Sequence, residues 1–398
     1  MTPEKISQKP ERTKGRRKKF LGLFFGLVLF IYAIYLFHLV SSFPPLKKHP
    51  AIIQKEIVGA YHLHTRFSDG RGRVEDVVKA ARKNQLDFII LTDHGQPNLA
   101  CLQSQGWRQG VLVLAGTEIS TSRGHLVGLA FSESVRNLPR QAEEAARIIQ
   151  KEGGFTIIAH PYSKASWTWG KENELYLGLE LIDADTMLKK KWLPNLPLFP
   201  LLLFNKRVFA LKMLEPFPAP FRQWDRLNEI APPHYGFFSC DAHLFYETLL
   251  SLFHLHLPLE RELPPEFKAS REIIFKSLQS GAFYNAIDAA QPASGFNFWA
   301  KKGEEFYPMG SLIKLKPGEK VRLYIRAPTF VAGRLVLIHN GKKILTSMEN
   351  EISFEPEASG FYRVEVYLQD KAILPENLPW IVSNPIFLRT DEDDTYSY

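Results

Sequence analysis

The chain has 398 residues, 45% of them apolar and 23% charged, which is enough for two or three cored domains and too apolar for a disordered chain. Its net charge of +8 sits mostly at the start: the first 19 residues hold eight Lys/Arg against two Glu, leaving +2 for the other 379. A near-neutral folded part excludes a basic face that tracks long nucleic acid, and two cysteines, Cys101 and Cys240, exclude a disulfide framework, so both are expected free or buried.

After the basic tail 1–19 comes 20–40, FLGLFFGLVLFIYAIYLFHLV, which holds no charged group. That length spans the hydrocarbon core of a bilayer. The cluster KGRRKK before it outweighs the lysines of SSFPPLKKHP after it. The tail is therefore expected in the cytoplasm, with everything past the helix extracytoplasmic on a single-pass anchor in the cell membrane. A cleaved signal peptide would have a shorter apolar run and an A-x-A site.

A linker, 41–56, leads into a β/α rhythm over 57–301. EIVGAYHLHT reads as a strand, and 74–84 as a helix with Val74, Val77, Val78 and Ala81 on one face. LDFIILTDH, VLVLAGTEIS, GHLVGLAF and FTIIAHP read as buried strands, with a helix over 140–152 stopped by Gly153-Gly154. Later, 222–230 reads as a helix and YGFFSCDAH as a strand. Apolar strands alternating with helices predict a parallel sheet or barrel. Residues 161–235 read as an insertion containing SWTWG and KKWLPNLPLFPLLLFNKRVF. Pro194, Pro197 and Pro200 argue against a second span there. A lid, a membrane-facing patch or a core hairpin are the expectations. From 302 to 390 short alternating strands, with a hairpin turn at Asn340-Gly341, predict an all-β sandwich of immunoglobulin type. The acidic end 391–398 reads as a tail.

The ionisable residues gather at strand ends. The first strand ends in His62, His64 and Asp69, and LTDH ends in Asp93 and His94. Glu118 lies in GTEIS, His125 opens GHLVGL, His160 ends IIAHP, and SCDAH holds Asp241 and His243. Alternation along a strand puts 62 and 64 on one face. Carboxyl ends of parallel strands are where α/β folds bind ligands. Six imidazoles and four acids at one rim would be costly without cations, and they are too many for one ion. Their N and O donors suit two or three divalent ions such as Zn, Mn or Fe.

YHLHTRFSDG, LTDH, GTEIS, GHLVGL, IAHP and SCDAH, in that order across about 57–290, resemble the PHP (polymerase and histidinol phosphatase) superfamily of metallohydrolases. The resemblance implies a distorted (β/α)7 barrel with a two- or three-metal centre. It implies His62, His64, Glu118 and Asp241 as ligands of one metal. Glu118 would bridge to a second metal held with His160 and His125, and Asp69, His94 and His243 would form a third site. The SDG form of the first motif is similar to the phosphoesterase branch. REIIFKSLQSGAFYNAID and the β region are more loosely similar to a carbamate-hydrolase-like branch with a C-terminal β domain. The anchor and the Trp- and Pro-rich insertion depart from both.

The implied chemistry is attack by a water made acidic between two cations. Asp93 or His243 is expected to shuttle a proton. Arg66 and Lys164 are candidate phosphate partners or solvated charges. Trp167 and Trp169 are candidate stacking surfaces or core. The resulting expectation is a membrane-anchored extracytoplasmic phosphoesterase acting on a small molecule. A carbamate, ester or amide hydrolase, and a non-catalytic metal-containing binding module, are the alternatives.

Overall fold

The structure, a computed structural model, describes residues 12–46, 56–164, 166–170, 173–191, 193–259, 262–329, 331 and 333–390. The start of the basic tail, most of the linker, Trp192 and the acidic tail lie outside the described residues.

Helix α1 (Arg12–Ser41) is long and apolar enough to cross a membrane over Arg17–Ser41, and its most apolar stretch has a mean hydropathy of 2.5 and is unburied. Its far end is not loosely tethered. Phe43 is buried, and the Arg207 guanidinium lies over its ring at 5.0 Å. Arg207 also donates to the Pro44 carbonyl at 2.6 Å, and Gln291 to that of Pro45 at 3.1 Å.

The first region contains β1 (Glu56–Leu63), β2 (Phe88–Leu91), β3 (Gly106–Arg108), β4 (Val111–Ala115), β5 (Thr117–Thr121), β6 (Gly124–Leu129), β7 (Phe155–Ile158), β8 (Gly178–Asp183), β9 (Tyr235–Ser239), β10 (Phe253–Pro258) and β11 (Tyr284–Ile287). Its helices are α2 (Val74–Lys83), α3 (Leu99–Leu102), α4 (Ala142–Lys151), α5 (Ala184–Lys191), α6 (Leu201–Phe204), α7 (Lys206–Lys212), α8 (Pro218–Ile230), α9 (Tyr246–Leu249) and α10 (Phe267–Gln279). Helix α2 buries Val74, Val77, Val78 and Ala81, and α4 buries Ala142, Ala145, Ala146 and Ile149. The helical period puts each set on one face, and full burial of each Val or Ile is worth about 1.5–3 kcal/mol.

Strands β1, β2 and β4 are parallel neighbours, as are β7, β8 and β9. Between them β5 and β6 form an antiparallel pair, because only Ser122 and Arg123 connect them. Two isolated parallel bridges stitch the sheets together. Leu63 meets Ala242 beyond β9, and His94 beyond β2 meets Glu118. Residues 161–235 are not one excursion. The strand β8, GLELID, lies inside them, fully buried between β7 and β9. Its central Glu180 hid it from the apolar pattern.

The β-rich region contains β12 (Asn297–Lys302), β13 (Glu305–Pro308), β14 (Leu312–Leu315), β15 (Arg322–Arg326), β16 (Gly333–His339), β17 (Lys342–Ser347), β18 (Glu351–Phe354), β19 (Gly360–Leu368), β20 (Ile381–Ser383) and β21 (Ile386–Thr390). Asn340 and Gly341 join β16 to β17 with φ of 46° and 72°, the left-handed pair that a tight hairpin turn needs. One sheet here holds β13, β12, β15 and β18. The other is continuous with the first region, because β20 pairs with β11 on one side and β19 on the other. The two regions are also pinned by side chains. Asn384 accepts from Gly236 N of β9 at 2.8 Å. Arg363 of β19 grips Asp225 of α8 through two nitrogens, at 3.1 and 2.9 Å.

Candidate metal centre

The site forms where the bridges stitch the sheets. His62 has φ of 65°, and the β1–β2 register shifts between Tyr61 and Leu63. His62 and His64 therefore converge through a bulge, not through plain alternation. Their Nε2 atoms end 3.1 Å apart. His160 (25°) and Asp241 (44°) share this positive φ. Three proposed ligands in a region that non-glycine residues avoid mark a strained rim. Gly70 of SDG is fixed by close approach: a Cβ there would lie 2.4 Å from the His64 carbonyl oxygen.

Glu118, almost fully buried, sits at the middle. Its Oε2 lies 3.1 Å from His62 Nε2, 3.0 Å from His64 Nε2 and 3.4 Å from His94 Nδ1. Its Oε1 lies 2.7 Å from His125 Nδ1 and 2.9 Å from His160 Nε2. Asp241 Oδ1 lies 3.4 and 3.2 Å from His62 and His64 Nε2. Asp69 is 3.2 Å from His243, 3.4 Å from His64 and 3.7 Å from His94. Three overlapping sets result, each compact enough to surround a cation: His62, His64, Glu118 and Asp241; His94, Glu118 and His125; His64, Asp69, His94 and His243.

The donors fit cations better than they fit one another. Asp241 Oδ1, His94 Nδ1 and His125 Nδ1 are buried without a hydrogen-bond partner, although oppositely charged groups stand close by. Lone pairs that crowd a common point without pairing are what ligands around an ion present. Burial works against the charged forms throughout. The acids nevertheless raise His62 and His64, and push His160 up to about 9. Asp69 is held well below the usual carboxylate range by hydrogen bonds from His243 and His64. Asp183, by burial and the nearby Asp241, is raised to about 7.

Not every expected residue joins this set. Asp93 is fully buried but committed elsewhere. It accepts from Thr65 N and Ser68 Oγ at 2.7 Å and from Thr65 Oγ1 at 2.8 Å, so it fastens the turn after His64. Arg66 is exposed, with Nε on the Arg71 carbonyl at 2.8 Å, and Lys164 is also exposed. Trp167 is core, edge-on to Tyr176 at 5.3 Å. Trp169 is half-buried, 6.4 Å from the Tyr162 ring. Both cysteines are free and buried.

Three acids at the rim escaped the sequence reading. Glu180 Oε1 is 2.6 Å from His62 Nδ1, and Oε2 accepts from His160 N at 2.8 Å. A carboxylate on the far nitrogen of a ligating imidazole fixes its tautomer and orientation. The signal was a glutamate inside the buried run LGLELID. Asp183 accepts from the Asp185 and Thr186 amides, and Asp185 clusters with Asp241 and His243.

Residues 60–165 match the PHP domain family. An uncharacterized protein of Methanocaldococcus jannaschii is 29% identical over 119 residues, covering 26% of this chain and 66% of that protein. Among solved structures, a two-domain protein from Bacteroides vulgatus containing a predicted PHP-like metal-dependent phosphoesterase aligns over 86% of this chain and 98% of its own, at 14% identity and a TM-score of 0.43. An amidohydrolase from Chromobacterium violaceum aligns over 52% of this chain and 92% of its own, at 16% identity and a TM-score of 0.29. The histidine motif that opens at His62, the central carboxylate Glu118 and the strand end at His160 all fall within the span that matches the PHP domain family.

Proposed function

We propose that the chain is a membrane-anchored, extracytoplasmic, metal-dependent hydrolase, and specifically a phosphoesterase. In this reading the strands stitched at Leu63–Ala242 and His94–Glu118 are the distorted (β/α)7 barrel, residues 302–390 are a sandwich without chemistry, and 20–40 is the anchor. Glu118 carries the reading. Its two oxygens address separate groups of imidazoles, as a carboxylate shared by two cations must. His62, His64, Glu118 and Asp241 would hold one ion, Glu118, His125 and His160 a second, and Asp69, His94 and His243 a third. When bound, divalent ions of the Zn, Mn or Fe type lower the pKa of water and polarise a phosphoryl or carbonyl oxygen.

The chain's own residues do the rest. Glu180 holds the His62 ring, and Asp93 holds the turn that presents His64. With Asp93 so engaged, His243 is the candidate proton carrier. It is half-buried and stacked on His64 at 4.2 Å. A small molecule is the substrate; the near-neutral folded part offers no track for long nucleic acid.

One observation favours a second reading, hydrolysis of a neutral ester, amide or carbamate. The cavity beside His160 is walled by Tyr162, Met187, Phe217 and Pro220. Such a wall suits an apolar leaving group, whereas a phosphomonoester needs donors or cations beyond the metals. Metal analysis of the full chain and turnover of phosphate and carboxyl esters separate the two. Two to three equivalents of metal are expected. Arg66→Ala should lower phosphate turnover, and Trp169→Ala should touch ester turnover alone. Intact phosphate turnover in Arg66→Ala, together with lost ester turnover in Trp169→Ala, would replace the phosphoesterase reading with the ester one.

A further inference from the structure

The three most exposed large apolar side chains outside α1 among the described residues, Leu203, Phe204 and Leu193, lie in one stretch, with Leu196 between them. Leu193 is 76% exposed, Leu196 54%, Leu203 84% and Phe204 78%. They lie in 193–204, where prolines break the chain into a short turn and α6. Lone exposed apolar residues need no explanation, but a contiguous set marks a surface with a partner. A lid over the metal centre would bury these side chains, and here they point away from the protein.

The patch touches α1. The Tyr32 hydroxyl donates to the Pro197 carbonyl, and past it Leu36, Leu39 and Val40 are half-buried against the main hydrophobic core, which Phe43 joins. Tyr32 lies eight residues before Val40, about 12 Å along a helix axis. If 20–40 spans a hydrocarbon core of about 30 Å, Pro197 meets it well inside the outer half. Cations flank the patch in sequence. Lys189 and Lys190 precede it, and Lys206 follows it, all exposed.

We propose that residues 193–204 are seated in the outer leaflet of the bilayer that α1 crosses, making a second, monotopic contact; this rests on the reading of α1 as an anchor. The contact orients the metal rim. Helix α5 starts at Ala184, carries Asp185 in its first turn beside Asp241 and His243, and ends at Lys191, two residues before Leu193. Its eight residues span about 12 Å, so the rim is held close to the headgroups and faces substrates borne at the membrane surface.

The test uses the full chain with one added cysteine, Leu203→Cys, carrying an environment-sensitive fluorophore. Cys101 and Cys240 are buried and stay unlabelled, as the unsubstituted chain will check. In phosphatidylcholine vesicles the probe at 203 should shift to the blue and be quenched by a lipid with a spin label high on its acyl chain. A probe at Glu357→Cys, on an exposed loop of the β-rich region, should do neither. A carbonate wash of the same vesicles tests the anchor separately. A chain that resists the wash but is not quenched at 203 overturns the second contact and leaves the anchor standing. Shielding of the probe by a second copy, seen as transfer between labelled chains without lipid quenching, overturns it equally. A chain that washes off removes the anchor and the proposal together.

Discussion

Two neighbouring antiparallel strands carry the same tripeptide, His62-Leu63-His64 at the end of β1 and His254-Leu255-His256 on β10. On β10 every ring nitrogen has a partner. His254 Nε2 donates to the Leu250 carbonyl at 2.7 Å, and its Nδ1 lies 2.7 Å from Asp288 Oδ2. His256 Nε2 lies 2.9 Å from the same oxygen, and its Nδ1 lies 3.0 Å from Glu56. The acids are closed off in turn. Tyr284 and Gly295 donate to Glu56, and Ala293 N donates to Asp288. Two imidazoles and two carboxyl groups make a closed hydrogen-bond network that needs no ion, although His254, His256 and Asp288 are near enough to share one. The β1 pair faces Glu118 and Asp241, and here buried donors and acceptors stay unpaired. Spacing of i and i+2 places two histidines together. What stands opposite decides whether they close a network or wait for a ligand.

The largest effect should come from the β1 pair. His62→Ala combined with His64→Ala removes two donors from one candidate ion. Turnover should vanish and bound metal should fall, while the far-UV circular dichroism stays native. Full turnover in a metal-free preparation would end the contrast, because the rim would then need no cation either.

The β10 network should show the opposite profile. Asp288→Ala leaves His254 and His256 without their shared acid, and breaking a buried ion pair from one side costs about 3–5 kcal/mol. Denaturant unfolding should register that loss while rim metal content is unchanged. One equivalent of metal lost instead would make this a second metal site. The pH dependence follows from signs. Burial would lower His256, but Asp288 and Glu56 push it up to about 10, above its unfolded value of about 6.5. Its stabilisation is therefore complete below about pH 6.5 and fades as pH rises toward 10. Asp288 is held well below the carboxylate range, so its share is lost only in strong acid. Stability of the native chain should fall from neutral to alkaline pH more steeply than that of Asp288→Ala.

A smaller, graded effect is expected from Glu180→Gln. Replacing the partner of a ligating imidazole typically costs 10- to 100-fold in metal affinity or activity, about 1.4–2.7 kcal/mol. Excess metal should restore much of the turnover, and a titration of activity against metal reads this directly. Unchanged apparent affinity would show that Glu180 serves packing alone.

What was legible in the sequence follows the same physics. Strand ends bearing His, Asp and Glu were visible because polar residues closing apolar runs have few structural uses. Helices α2, α4 and α8 were visible through their period, the hairpin at Asn340-Gly341 through its turn residues. Glu180 was not, since a charge at the centre of a buried strand breaks the pattern that identifies the strand. His254 and His256 passed unnoticed because their acids, Glu56 and Asp288, lie some 200 and 30 residues away in sequence. The shared sheet was invisible too. Pairing of β11 with β20 depends on register between segments about 100 residues apart, which composition does not encode.

The smallest effect is expected from a third kind of histidine. His339 stands at the end of β16, donates Nε2–H to the Ser359 carbonyl at 2.8 Å and stacks on Tyr362 with centroids 4.3 Å apart. No acid faces it among the described ion pairs, so it belongs to neither class compared above. His339→Ala removes one neutral hydrogen bond and one ring contact, worth together about 1–2 kcal/mol. A drop of a few degrees in Tm should be the whole consequence, with kcat, KM and metal content unchanged. The β-rich region shares a sheet with the first region, so a tenfold loss of turnover at preserved stability would mean that β16 communicates with the rim through β19, β20 and β11. The idea that 302–390 carries no chemistry would then have to be given up.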